Sequence, residues 1–401
     1  DEAHKVEEIL SSSLGFEIHG GKFRSLFRDA GSVLSPCSEL ENVGELNEMF
    51  DTALNPHSNQ RVVPPEDRVL SDLFDLTEAR LVALSSVLHE LPDITTLDIG
   101  ARITRVIQSI DSLLENVREA RWLEDDSVAW VESTYGRPTM KVALISVDHI
   151  LNENLWPLRT VVLTSATVPA NLANRLGLDE ESFSFEDVGS PFDFENQALL
   201  YCASHLPDPR NQNYREELHD EIERLIIAAG GRTLALFTSR RALDEATSYL
   251  RPRLPFTIFH QDDLPKPALI SAFSREEESC LFGTKGLWHG IDIPGPSCSL
   301  VIIDRIPFPS PADPLLSARR EKIGDSSFRE IDLPIAATEL SQGVGRLIRS
   351  TSDFGVVEVL DSRLAKTDSY RGQLLEALPP MTRTTDLESV TSYLERIETR
   401  L

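Results

Sequence analysis

Sulfur and indole are scarce in this chain: its 401 residues include 4 Cys, 3 Met and 4 Trp, and aromatics make up only 7%. Cys37, Cys202, Cys280 and Cys298 stand far apart with no Cys-x-x-Cys pair, and three of them lie in apolar runs that read as strands. Buried free thiols are therefore expected, rather than a disulfide framework, a metal cluster or iron–sulfur ligands. No apolar run reaches the roughly 18 residues that a membrane-spanning helix needs. The opening Asp1-Glu2-Ala3-His4-Lys5 does not read as a signal peptide, so a cytoplasmic protein without membrane partners is expected. Positive charge is also in short supply, with 39 Lys and Arg against 65 Asp and Glu and a net charge of −26. Such a chain cannot grip nucleic acid by bulk electrostatics; any grip must come from a local groove. Serine-hydrolase (GxSxG) and zinc-hydrolase (HExxH) patterns are missing, and so is a GxxxxGK[ST] phosphate loop.

What is present is a 41% hydrophobic content in a chain long enough for two or three domains. Its most informative stretch is Gln342-Gly343-Val344-Gly345-Arg346-Leu347-Ile348-Arg349. At helical pitch Gln342, Gly345, Arg346 and Arg349 share one face, while Ala336, Leu340, Val344 and Leu347 line the other. Asp332 and Pro334 mark the start of that helix. Two forked cations beside glycines suit a polyphosphate, because guanidinium geometry matches phosphate oxygens. A solvated basic helix end, favoured by the helix dipole, is the alternative.

Upstream, the apolar positions Val6, Ile9 and Leu10 predict a helix. Residues 16 to about 128 read as helices with polar connections, including an antiparallel hairpin with stripes through Ala79, Val82, Ala83, Ser86 and Val87 and through Ile103, Val106, Ile107, Ile110, Leu113, Leu114 and Val117. The period then changes. Val128 to Val131 and Met140 to Val147 bracket a hairpin-like turn, and Val161 to Leu163 reads as a strand. From there apolar strands alternate with amphipathic helices: Leu199 to Cys202, Leu234 to Phe237, Cys280 to Phe282, Leu300 to Ile303 and Val356 to Leu360. That alternation predicts an α/β fold with a parallel sheet covered on both faces, whose ligands gather at the carboxyl ends of the strands. Polar clusters fall at those ends: Thr164-Ser165-Ala166-Thr167, Thr238-Ser239-Arg240, Gly283-Thr284-Lys285-Gly286 and Gly290-Ile291-Asp292. Hydroxyls and free N–H groups there can contact phosphate oxygens, although Ser and Thr are also ordinary turn residues.

Taken in order, Asp1-Glu2-Ala3-His4, Thr164 to Thr167, Phe237-Thr238-Ser239, Gly290-Ile291-Asp292 and the Gln342 to Arg349 stretch resemble the second to sixth motifs of superfamily 2 helicases. The DinG branch of the XPD-like family is the nearest likeness. It extends to Gly189 to Phe194 with Gln197 to Tyr201, Ile306 to Pro311 with Asp313-Pro314, and Gly355 to Leu364 with its Leu360 to Leu364 ending. For residues 16–140 only the position matches, where that family inserts a helical arch.

The resemblance implies RecA-like motor domains. Residues 1–15 and 141–187 would be the C-terminal part of the first, 16–140 the arch and 188–401 a complete second. It implies ATP with Mg²⁺, and single-stranded or forked DNA as partner. Asp1 would hold Mg²⁺ through water, Glu2 would activate the attacking water, and His4 would couple this site to its neighbours. Gln342, Arg346 and Arg349 would face that water and the γ-phosphate, with Gly290, Asp292 and Gly345 lining the nucleotide cleft. Ser165 and Thr167 would link nucleotide state to movement along DNA, and Thr238, Ser239, Arg240, Thr284 and Lys285 would contact the nucleic-acid backbone.

Two departures stand out. His289 occupies a position where the family usually has glutamate. The family's phosphate loop precedes its DEAH tetrapeptide, so the sequence reads as a fragment beginning inside the first motor domain. A non-catalytic nucleic-acid or protein-binding module that keeps a motor fold is the rival reading.

Overall fold

A computed structural model of the chain describes residues 1–91, 97–134, 136–288 and 297–398. Among these residues lie two sheets of opposite character.

The larger is seven-stranded and parallel throughout, in the order β11-β5-β10-β9-β6-β8-β7. Its strands are β5 (Ala198–Cys202), β6 (Thr233–Leu236), β7 (Thr257–His260), β8 (Ser279–Gly283), β9 (Leu300–Ile303), β10 (Gly355–Val359) and β11 (Thr382–Thr384). The five inner strands are buried at every residue, which is why they read as mainly apolar runs instead of alternating ones, with Glu358 of β10 the charged exception. One face packs Leu200, Leu234, Leu281, Val301 and Val357 under the Leu333–Val344 helix; the other packs Tyr201, Ala235, Ile302 and Val356 under the Tyr214–Ala228 helix. The edge strands β7 and β11 are short and partly polar, so no apolar run announces them. Tyr214 ties two strand ends together: its hydroxyl lies 2.7 Å from Asp304 O and 2.9 Å from Leu360 O.

The smaller sheet is antiparallel, in the order β1-β4-β3-β2, and is built from β1 (Phe16–Ile18), β2 (Gln60–Val62), β3 (Ser127–Thr134) and β4 (Arg137–Leu144). Helices Gly20–Gly31, Ser38–Leu54, Arg68–His89 and Leu97–Trp122 pack with it around Phe23, Phe50 and Phe74. The expected helical insertion therefore carries a sheet at its base, and β4 runs on to Leu144.

Two local expectations fail. On the Arg68–His89 helix the buried face is Leu70, Leu73, Phe74, Thr77, Leu81, Leu84 and Leu88, whereas Ala79, Val82, Ala83 and Ser86 face outward. Both stripes have helical period; the one with larger side chains removes more apolar area from water, at about 25 cal/mol per Å², and it wins. Val161 to Leu163 forms no strand among the described residues, and Val162 is 80% exposed. An apolar run becomes a strand only where a neighbour takes its backbone hydrogen bonds. The Leu333–Val344 helix does begin where Asp332 and Pro334 mark it, after a π-type turn over Phe328–Asp332, with the Asp332 side chain bonding Arg320.

Candidate nucleotide and nucleic-acid cleft

Gln342 sits in the last turn of the Leu333–Val344 helix, and the two arginines lie beyond that helix. Gly345 closes it by donating to Ser341 O at 2.9 Å; Arg346 N then donates to Gly343 O at 3.2 Å and Leu347 N to Val344 O at 3.1 Å, a tighter winding. Gln342, Gly345, Arg346 and Arg349 thus do not share one helix face. Past Gly345 the chain turns, and the Asp353 carboxylate holds that turn by accepting from Arg349 N at 2.8 Å and Ser350 N at 2.7 Å. The apolar side of the prediction holds: Ala336, Leu340, Val344 and Leu347 are all buried. Gly345 is half-buried, and the nearest atom to a Cβ placed on it would be Ser341 O, 3.3 Å away.

The opening tetrapeptide folds against this turn. Ala3 N donates to Thr164 O at 2.9 Å, and Asp1 Oδ1 accepts from Thr164 Oγ1 at 3.3 Å. Glu2 adopts φ 55°, ψ 46°, the left-handed region that a residue with a Cβ enters at a cost, and its side chain stays 54% exposed. His4 is the meeting point. Its Nδ1 lies 2.9 Å from Ser165 Oγ and 3.4 Å from Glu2 Oε2, and its Nε2 lies 2.8 Å from Gln342 Nε2. An amide nitrogen only donates, so Nε2 accepts and the ring proton sits on Nδ1, facing Ser165. One step along, Thr167 Oγ1 donates to Ser341 Oγ at 3.2 Å. Asp1, Glu2, His4, Ser165, Thr167 and Gln342 therefore form one polar seam, although some 338 residues separate its ends.

The strand-end residues cluster separately. Thr238 donates to the buried Asp304 carboxylate from its N at 2.8 Å and its Oγ1 at 3.2 Å. Burial pushes Asp304 up to about 6, against the pull of Arg305 and Thr238. Ser239 caps the Arg240–Leu250 helix by accepting from Ala242 N at 3.2 Å. Arg240 donates to Asp262 at 3.2 Å and lies 3.6 Å from Asp244. Thr284 donates to Gln261 Oε1 from its N at 2.8 Å and its Oγ1 at 3.0 Å. Lys285 pairs at 2.7 Å with Glu339, on the same helix as Gln342, so this cluster and the seam are mechanically joined. Both of its cations, Arg240 and Lys285, are held by acids of the chain itself. Gly290 and Asp292, like His289, lie outside the described residues.

Sequence reasoning missed Ser341, Lys5 and Lys266. Lys266 donates to Gly286 O at 2.8 Å, and burial first, then the nearby Arg346 and Lys5, hold its ammonium below the usual range. The fold thus collects Lys5, Lys266 and Arg346 into one cationic neighbourhood. A lone lysine at the start of the Lys266–Arg275 helix carries no sequence signal of that.

A family profile described as a helicase C-terminal domain matches residues 222–381. The ATP-dependent helicase DinG of Mycobacterium tuberculosis is 40% identical over 310 residues, covering 75% of this chain and 46% of that protein. The ATP-dependent DNA helicase YoaA of Escherichia coli is 28% identical over 416 residues, covering 98% of this chain and 64% of that protein. The chain therefore spans about half to two-thirds of the length of these curated relatives. Among solved structures, that of S. tokodaii Xpd4 is similar with a TM-score of 0.62 at 14% identity, over 96% of this chain and 74% of that one. An XPD helicase structure gives 0.57 at 16% identity, over 96% and 68%. At such identities the structural likeness is one of fold.

Proposed function

We propose, from the premise that this chain belongs to the DinG-like branch of the XPD-type helicase family, that it is the C-terminal portion of an ATP-dependent DNA helicase. It couples ATP hydrolysis to travel along single-stranded DNA and to the opening of forked duplexes. In this reading residues 1–15 and 141–187 are the remainder of a first RecA-like motor domain, 16–140 the inserted arch and 188–401 the second motor domain.

The observation that carries the reading is the His4 bridge between Ser165 and Gln342, which brings the opening acids and the late helix to one seam. Glu2 takes the proton of the attacking water. Gln342 Oε1, a buried acceptor with no partner among the described residues, fits the water's other hydrogen. Arg346 and Arg349 meet the negative charge that builds on the γ-phosphoryl oxygens. Magnesium bound with the nucleotide supplies charge neutralisation on the phosphates; Asp1, a single exposed carboxylate, suits an ion that keeps most of its waters. His4, Ser165, Thr167 and Ser341 carry the state of that site to the strand-end loops. There Thr238, Ser239, Arg240, Thr284 and Lys285 receive the DNA backbone, Arg240 and Lys285 exchanging Asp262 and Glu339 for phosphates. Single-strand affinity is accordingly modest and falls with salt.

The test is ATP turnover. The complete protein should hydrolyse ATP with single-stranded DNA present, and Arg346→Ala should lower kcat by about 10³ or more. These 401 residues alone should turn over little ATP, because the phosphate loop is not among them. Robust magnesium-dependent turnover by the 401 residues would refute that division of labour. A complete protein that binds DNA yet hydrolyses no ATP would sink the motor reading in favour of a binding module.

A further inference from the structure

Three parts of the chain meet at a buried ionic junction that the nucleotide seam does not use. Arg319, on the Pro314–Ile323 helix, is 6% exposed. Its Nε donates to Ile145 O at 2.8 Å, just past the end of β4; its Nη2 donates to Ser11 Oγ at 2.8 Å and pairs with Glu7 Oε1 at 3.1 Å. Glu7, also 6% exposed, takes a second guanidinium from Arg175. Around this triad Leu315 and Ala318 pack on Val128, Trp130 and Ile145 at the base of the antiparallel sheet. From β2, Arg61 pairs with Glu321 at 2.5 Å.

Withdrawing three charges from water is expensive, and an apolar trio of similar volume would hold these elements together at least as well. A set of fixed donors and acceptors adds something an apolar contact lacks, namely one register. The connections on either side give that register a use. Glu7 belongs to the Val6–Leu14 helix, which continues directly from the turn Ala3–Lys5 that bears His4. The neighbouring Arg320 grips Asp332, at the head of the Gln342 helix, with its Nη2 at 2.6 Å and its Nε at 3.0 Å. The Pro314–Ile323 helix therefore holds one side of the seam through Arg320, the other through Arg319, and the inserted unit through Leu315, Ala318 and Glu321.

We propose that Arg319 is a positioning residue which, with Glu7 and Arg175, forms the pivot transmitting opening and closing of the Glu2–Gln342 seam to the inserted helical unit. This rests on the ATP-driven reading above. Without the pivot the protein still hydrolyses ATP but converts little of it into strand separation.

The experiment uses the complete protein with Arg319→Gln, Glu7→Gln and Arg319→Lys. ATP turnover on single-stranded DNA, unwinding of a forked duplex and thermal midpoint are measured on the same preparations. In Arg319→Gln and Glu7→Gln, turnover should stay within about threefold of wild type while base pairs opened per ATP fall by about tenfold or more. Arg319→Lys, which keeps the charge, should recover part of that ratio. A ratio unchanged in the folded variants overturns the proposal, whether both activities fall together or neither moves. Failure of all three variants to fold also overturns it, since a structural role then accounts for the triad. No ATP turnover in wild type removes the underlying reading itself, a result distinct from all of these.

Discussion

Glu358 offers the sharpest physical test. It lies in β10, the strand between β5 and β9, opposite Tyr201 on one side and Ile302 on the other, and it is 0% exposed. Neither carboxylate oxygen has a hydrogen-bond partner among the described residues. Burial, and then the nearby Glu221, raise its pKa well above the ordinary 4.5. The folded protein therefore holds a proton here that the unfolded chain releases. Between the unfolded and the folded pKa the native state binds more protons, so this group's contribution to stability declines as pH rises, by about 1.4 kcal/mol per pH unit. Glu358→Gln keeps the shape and removes the titration. The stability of this variant relative to wild type should therefore improve steadily from pH 5 upward, at up to that slope. The buried Asp304, raised to about 6, titrates alike in both proteins and cancels in the difference. Urea unfolding monitored by circular dichroism at half-unit pH steps gives the comparison directly. Parallel stability curves for the two proteins would refute the argument, because they would mean that Glu358 is ionised in the fold or reaches water.

Two further predictions concern packing and the seam. A Cβ on Gly355 would lie 2.4 Å from Ser299 O and 2.6 Å from Leu347 Cδ1, so Gly355→Ala should cost about 1–3 kcal/mol by thermal or chemical unfolding; an unchanged midpoint would show that β9 and β10 can part. For the seam, His4→Ala and Gln342→Ala should be non-additive in stability, with a coupling of about 0.5–1.5 kcal/mol in a double-mutant cycle. Strict additivity would mean that the 2.8 Å contact between them is absent in solution.

Much of this architecture was legible from local pattern. The inner strands of the parallel sheet announce themselves because burial on both faces favours apolar residues almost throughout, Glu358 apart, and the hydroxyl clusters mark their carboxyl ends. Periodicity failed where two patterns competed or where a partner was needed. Ala79, Val82 and Ala83 have helical spacing but lost the core to Leu81 and Leu84, and Val161 to Leu163 has strand composition but no strand partner among the described residues. In the Gln342 to Arg349 stretch the helix ends at Val344 and the arginines follow on a turn, which an assumption of uniform pitch does not foresee.

The sequence by itself determined most of the elements, the order of the polar clusters and the resemblance to a helicase family, because each is written in residues close together along the chain. Only the tertiary structure decided which polar groups face each other: His4 with Gln342, Glu7 with Arg319, Thr238 with Asp304, Lys266 near Arg346. Those pairings depend on where the whole chain turns back, and a buried charge or hydroxyl must find its partner there, however far away in sequence that partner lies.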